Sequence, residues 1–244
     1  MRLEIRPIRE NEVSEALLIH QQAWPNGHAE VIDEKTIHHQ VRHNGHYQIG
    51  AFLADDAEKS RMLAVVTTAR FRVGKTGRTK QALKKDGLPH YNALRQMAVK
   101  DGNALACFII SSPVKLSSEE QNAIGSGQIA GKIIHEVKKR AQFDSRITHV
   151  LAASTPKDIN RHLGLSQGGT PKNMKQVLAY LRLKKDAVIH RFHQRLGASV
   201  WKVALKKRPN SPNLPGAGVL VWMRYRTSRK TAAKVRGRGL DLQT

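Results

Sequence analysis

Residues 104–114 read ALACFIISSPV, a nearly continuous apolar run without a charged side chain. Such a run suits a strand buried on both faces and marks the centre of a sheet. After a Ser/Gly-rich turn, Ile129, Ile133, Val137 and Ala141 recur at i, i+4, i+8 and i+12, while Lys132, Glu136, Lys139 and Arg140 fall elsewhere around the same helix. That helix packs one apolar stripe on a sheet. Residues 148–154 (THVLAAS) read as another buried strand. The segment is therefore a strand, a glycine turn, a helix and a strand, with the right-handed crossover expected of such units.

Toward the N-terminus, Leu3 and Ile5 alternate as a strand, and Val13, Ala16 and Leu17 share one helical face. A His-rich segment, 33–43, is expected to be helical; Asn44-Gly45 turns, 47–53 reads as a strand, and Asp55 and Asp56 mark the next turn. Residues 61–73 (RMLAVVTTARFRV) are rich in β-branched and apolar side chains and pair with that strand as a hairpin. Residues 74–102 are basic, weakly periodic and broken by Gly74, Gly77, Gly87 and Pro89. They read as an insertion with one short helix at 92–99. Toward the C-terminus, Thr170-Pro171 suits the N-cap and first turn of a helix carrying Met174, Val177, Leu178 and Leu181. A further helix spans 186–196 and stops at Gly197, and strands follow at 199–205 and 218–225. The predicted fold is a single α/β (α+β mixed) domain over 1–225, a twisted mixed sheet flanked by helices. Residues 226–244 form a basic tail, expected to be mobile.

With 244 residues, the chain matches one large domain or two small ones. Its single cysteine, Cys107, excludes an internal disulfide and a Cys-based zinc cluster and reads as a core residue. Forty-two basic against 19 acidic residues give a net charge of +23, a field that favours anionic partners. The charged N-terminus lacks the apolar stretch of a signal peptide, and no apolar run reaches the ~20 residues of a membrane span. The expectation is a cytoplasmic protein.

Two motifs carry a resemblance. Asp186, Ile189, Phe192, His193, Leu196, Gly197 and Ala198 match, without a gap, the spacing of a late helix that reads Asn, an aliphatic at +3, an apolar residue at +6, Tyr at +7, Leu at +10 and Gly-Phe at +11 and +12. His193 stands for the Tyr, and Ala198 for the Phe. The turn Gln121-Asn-Ala-Ile-Gly125-Ser126-Gly127-Gln128-Ile129-Ala130 is similar to Gln/Arg-x-x-Gly-x-Gly/Ala, with Gln121 one residue early. Together, set between two buried strands, they resemble the GNAT superfamily of N-acetyltransferases.

The resemblance implies transfer of an acyl group from acetyl-CoA or a longer acyl-CoA to an amine, by direct attack within a ternary complex. The turn from Gln121 to Ala130 would bind the coenzyme A diphosphate through backbone N–H groups and a helix N-terminus. Backbone groups of Phe108, Ile109, Ile110 and Ser111, where the fourth strand splays from the fifth, would hold the thioester and pantetheine. Asp186 and Phe192 would border the cofactor. His193 would assist thiolate departure in place of Tyr. No Asp or Glu lies between residues 105 and 118, which leaves His149 as the candidate base. No metal is expected: His39 and His43 share a helical face beside His38 and His46, but the Glu of His-Glu-x-x-His is missing. The acceptor amine is unidentified. An acidic acyl-carrier protein would suit the basic surface as donor. Residues 74–85 (GKTGRTKQALKK) and the tail are dense enough in Lys and Arg to bind nucleic acid or an anionic surface. The competing class is a non-catalytic GNAT-like module that holds nucleic acid or an acidic partner.

Overall fold

The strands are β1 (Arg2–Pro7), β2 (Ile49–Ala54), β3 (Ser60–Phe71), β4 (Ala104–Ser111), β5 (His149–Ser154), β6 (Ala198–Leu205) and β7 (Val219–Tyr225). They form one sheet in the order β1-β2-β3-β4-β5-β7-β6. The structure is a computed structural model and describes residues 2–23, 33–54, 60–74, 102–112, 116–124, 128–154, 159–165, 171, 173–183, 188–205 and 219–227. Of its strand pairs only β4 with β5 is parallel, so the sheet is mixed, as the crossover reading requires.

The helices are α1 (Val13–Ala23), α2 (Glu34–Asn44), α3 (Ser118–Ile124), α4 (Ile129–Phe143), α5 (Ile159–His162), α6 (Met174–Leu183) and α7 (Val188–Arg195). Strand alternation sends side chains to two separate cores. On one face, Val13, Ala16 and Ile19 of α1 and Ile37 of α2 pack with Phe52, Val65, Ala106, Ile109 and Trp222. On the other, Ile129, Ile133, Ile134, Val137 and Ala141 of α4 and Val177 and Leu181 of α6 pack with Leu63, Leu105, Val150 and Val221. The period-four stripe of α4 is thus the stripe that is buried. Among the described residues no helix is long and apolar enough to cross a membrane.

Several boundaries differ from the sequence expectation. α3 stands within the expected Ser/Gly-rich turn, where Ser117 and Glu120 form a reciprocal capping box: Glu120 N donates to Ser117 Oγ, and Ser117 N to Glu120 Oε2. α6 begins at Met174 rather than at Pro171, because Asn173 Oδ1 accepts from Lys175 N and opens the helix there; Thr170 lies outside the described residues. Residues 45–47 form a 3₁₀ turn, so β2 starts at Ile49. Thr227, expected in the tail, is buried, and its hydroxyl donates to Thr148 O, which ties it to the start of β5. α7 ends where expected because Gly197 takes φ +83° and donates to Gln194 O.

The short helix expected at 92–99 lies outside the described residues. The two flanks of that insertion are sutured by one side chain: Val73 N donates to Asn103 Oδ1 at 2.7 Å, and Asn103 Nδ2 to Val73 O at 2.9 Å. Beside this suture, a Cβ on Gly102 would sit 2.6 Å from Phe71 O and 2.8 Å from its N and C. Backbone atoms of a buried strand cannot swing aside. Gly102→Ala is therefore expected to cost about 1–3 kcal/mol, read as a lower urea midpoint at unchanged slope.

Candidate active site

β4 and β5 pair in register from Ala104↔His149 to Cys107↔Ala152 and then separate. Past that level β4 pairs with β3, through Thr67↔Ile109, Val66↔Ile110 and Val65↔Ser111. β5 meanwhile pairs with β7, through Ala153↔Trp222 and Ser154↔Val221. A register shift in the β3–β4 ladder falls at Phe108, between Thr67↔Ile109 and Thr68↔Cys107, at the level where the strands part. Among the described residues, the stretch Phe108, Ile109, Ile110 and Ser111 therefore turns an edge that β5 does not pair toward the opening, in the middle of the sheet. Backbone N–H and C=O groups placed so need partners, and the amides and thioester of an acyl-pantetheine chain offer matching ones.

Beside this opening is a cavity of about 460 Å³, lined by Ser112, Leu116, Gln121, Ile124, Gln128, Ile129 and Ala130. It joins the end of β4 to the first turn of α4. Gln128 occupies the N-cap in extended conformation, and its side chain makes no cap hydrogen bond. Its carbonyl accepts from Gly131 N and Lys132 N. The aligned peptide dipoles place partial positive charge at this end, the arrangement that binds phosphate. Lys132 Nζ donates to Ile124 O at 2.6 Å and ties α3 to α4 across the turn. Of the residues expected at the cofactor, Gln121, Gln128, Ile129 and Ala130 line this one cavity, and Phe108 to Ser111 line the strand opening. Gly125, Ser126, Gly127 and Asp186 lie outside the described residues. Ser112 and Leu116 also line the cavity, outside the set expected at the cofactor; Ser112, like Ser111, reads from the sequence as a polar strand-end group.

α7 lies across α4: Lys138 Nζ donates to Leu196 O at 2.6 Å, and Phe192 packs against the α4-side core. His193 is only 4% exposed. Its Nδ1 stands 2.5 Å from the hydroxyl of Tyr225, at the end of β7. Burial raises the Tyr225 pKa, so this hydroxyl stays protonated. His149 occupies a different place. It opens β5, opposite Ala104, at the closed end of the β4–β5 pair and about 10 Å of strand from where the opening begins. Its Nδ1 bonds Thr148 Oγ1. Burial and the charge of Arg224 lower its pKa. At that end of the strand it has no reach to the opening, which weighs against the base role expected of it.

A third histidine stands at the open end. His20 of α1 is 3% exposed, with Nδ1 2.7 Å from Ser111 Oγ and Nε2 2.8 Å from Thr67 Oγ1. Ser111 is itself 1% exposed. Three elements, α1, β3 and β4, thus converge on one imidazole. The sequence carried the signal: Val13, Ala16 and His20 fall at i, i+3 and i+7, so a histidine continues the apolar stripe of α1. On the neighbouring helix, the His39 and His43 rings lie 4.4 Å apart. Among the described residues no group of His, Cys, Asp and Glu is arranged to hold a metal ion. Cys107 is buried, and desolvation pushes its thiol up to about 12, the state of an inert core residue.

Desolvation pushes the His20 pKa down to about 3, against about 6.5 in an unfolded chain. Between those values the unfolded state binds the extra proton. The contribution to stability is whole above about pH 6.5 and drains below it, by up to about 1.4 kcal/mol per pH unit. His20→Gln is expected to flatten the slope of urea-derived stability against pH, between about pH 6 and 4, by about one proton. An equal slope in both proteins would mean that water reaches the imidazole.

No family model matches the chain, and no curated protein matches it. Solved structures do. The loading GNATL domain of CurA from Lyngbya majuscula superposes with a TM-score of 0.63 at 14% identity, over 93% of this chain and 98% of that one. The GphF GNAT-like decarboxylase in complex with isobutyryl-CoA gives 0.63 at 13% identity, over 92% and 100%. Naa20 of Chaetomium thermophilum, in complex with a bisubstrate analogue, gives 0.51 at 10% identity, over 98% and 93%. The chain has the GNAT fold.

Proposed function

We propose that the protein is an acyl-CoA-dependent N-acyltransferase, in which an amine attacks the thioester directly within a ternary complex. The observation that carries this reading is the parting of β4 from β5 after Cys107 and Ala152, beside a cavity that ends on the first turn of α4. Acyl-pantetheine in the opening would place its carbonyl against the β4 edge, with the diphosphate at the α4 N-terminus. The backbone edge orients the carbonyl and shields it from water. His193, with Nδ1 bonded to Tyr225, would offer its Nε2–H to the departing thiolate as a hydrogen-bond donor.

The isobutyryl-CoA carried by one structural neighbour supports a donor longer than acetyl. The +23 net charge would draw an acidic carrier protein by electrostatic steering. The test is twofold. Acyl-CoA at a hundredfold excess over its dissociation constant is expected to stabilise the fold by about 2.7 kcal/mol, and a panel of primary amines should include one that releases free CoA and forms an amide. Stabilisation by CoA with no turnover on any amine would favour the binding module.

Residues 228–244 provide a separate check. Their removal is expected to leave acyl-CoA affinity intact and to weaken and flatten the salt dependence of any nucleic-acid binding, since Arg229, Lys230, Lys234, Arg236 and Arg238 go with them. A retention assay on single-stranded DNA at two ionic strengths reads this; an unchanged slope would place the contact elsewhere.

A further inference from the structure

We propose that Ser111, backed by His20 and Thr67, is the catalytic group that takes the proton from the attacking amine, an assignment that rests on the acyltransferase reading above. Aminolysis of a thioester needs such an acceptor, and β4 supplies no carboxylate, since no Asp or Glu lies between residues 105 and 118. The Ser111 hydroxyl ends β4 on the open side of the β4–β5 fork. Ser111 lies on the α1–α2 side of the sheet, as His20 does, while His193 and Tyr225 lie on the α4 side. The two polar groups thus lie on opposite faces of the sheet.

The chain of contacts has the order that activates a hydroxyl: Ser111 Oγ to His20 Nδ1 at 2.7 Å, and His20 Nε2 to Thr67 Oγ1 at 2.8 Å. With Nε2–H donated to Thr67, the Nδ1 lone pair accepts the Ser111 hydroxyl and leaves Oγ able to receive a proton. Packing alone does not call for this trio. His20 belongs to a helix face otherwise made of Val13, Ala16 and Ile19, and an aliphatic side chain would bury there without the cost of desolvating an imidazole. Burial disfavours the imidazolium, so the proton resides on His20 only until the C–S bond breaks.

The step balances without a further reagent. The amine nitrogen bonds to the thioester carbon; its proton passes to Ser111 Oγ as the Ser111 proton passes to His20 Nδ1. The C–S bond then breaks, and the imidazolium returns its proton through Ser111 to the thiolate. Amide and free thiol leave, and the relay is reset. Ser111 touches the amine; His20 is a positioning residue that acts through it.

The experiment uses the full chain with acyl-CoA and the best amine of the panel. Wild type is expected to show a solvent deuterium effect whose proton inventory is curved, as two protons in flight require. Ser111→Ala should lower kcat about 100-fold, leave the KM for acyl-CoA within about twofold, and turn the inventory linear. Ser111→Thr, which keeps the hydroxyl, should retain most of the rate. His20→Gln keeps hydrogen bonds but cannot carry the proton, and should lose as much as Ser111→Ala. A linear inventory in wild type needs no variant to fold and overturns the relay, as does a wild-type rate in His20→Gln or Ser111→Ala. Wild type that binds acyl-CoA yet acylates no amine overturns the acyltransferase reading, and the relay with it.

Discussion

Ala130→Glu is expected to weaken coenzyme A binding at least about 100-fold while leaving the fold as stable as wild type or slightly more so. Ala130 lines the cavity in the first turn of α4. A carboxylate there is taken to lie about 5 Å from the diphosphate, a separation at which two charges still couple through partly solvated space. Two like charges at that distance repel by about 3 kcal/mol at an effective dielectric constant near 20, which is a factor of about 100. The same carboxylate, without ligand, meets the positive end of the helix dipole and gains about 0.3–1 kcal/mol. Folding and binding therefore move in opposite directions, and misfolding cannot mimic the result. Calorimetric titration with CoA and a urea melt measure the two. Ala130→Gln supplies the size without the charge and should lose far less, and raising the salt should restore part of the Glu variant's affinity by screening. Equal losses in Gln and Glu would mean that bulk, not charge, is sensed; no loss in either would move the diphosphate away from α4.

The central crossover was legible in the sequence because its signals are local and redundant. ALACFIISSPV can hardly avoid a buried strand, and the stripe Ile129, Ile133, Val137, Ala141 fixes both the helix and its buried side. Gln121, Gln128, Ile129 and Ala130, all expected at a cofactor, line one cavity for a similar reason, since a turn followed by a helix N-terminus is a contiguous stretch of chain. The relay was not. Ser111 and His20 are separated by 91 positions, and their meeting depends on α1 crossing β4 on the face opposite α4, which no local pattern encodes. A histidine within an apolar stripe was the available clue. The capping box at Ser117 and Glu120 signals α3, but a short, polar helix leaves no periodic trace beside it. His149 shows the converse. Strand membership was read correctly, but which end of β5 faces the opening depends on where the β4–β5 ladder stops, and that is set by their divergent partners, β3 and β7.

His193→Ala is expected to lower kcat about 10- to 100-fold with little change in acyl-CoA affinity. The magnitude follows from a hydrogen bond to a charged group, worth about 1.5–3 kcal/mol, made to the thiolate as it forms and not to the thioester before it. Because His193 is buried on Tyr225, its removal also leaves the Tyr225 hydroxyl unpaired and should cost about 1–3 kcal/mol of stability; the kinetic loss must therefore be read at a temperature well below the melt. Tyr225→Phe separates the roles. It keeps the imidazole and removes the hydroxyl that fixes which nitrogen carries the hydrogen. If His193 serves the thiolate through Nε2–H, that tautomer is now mixed with the other, and kcat falls severalfold even though Tyr225 touches no substrate. His193→Tyr should regain part of the rate lost in the Ala variant, since a phenol also donates, with the pH profile shifted upward because phenol ionises near 10. If His193 is only a core prop, both Ala and Phe variants lower the melting temperature and leave kcat where it was, and thiolate departure in this site proceeds without a donor from α7.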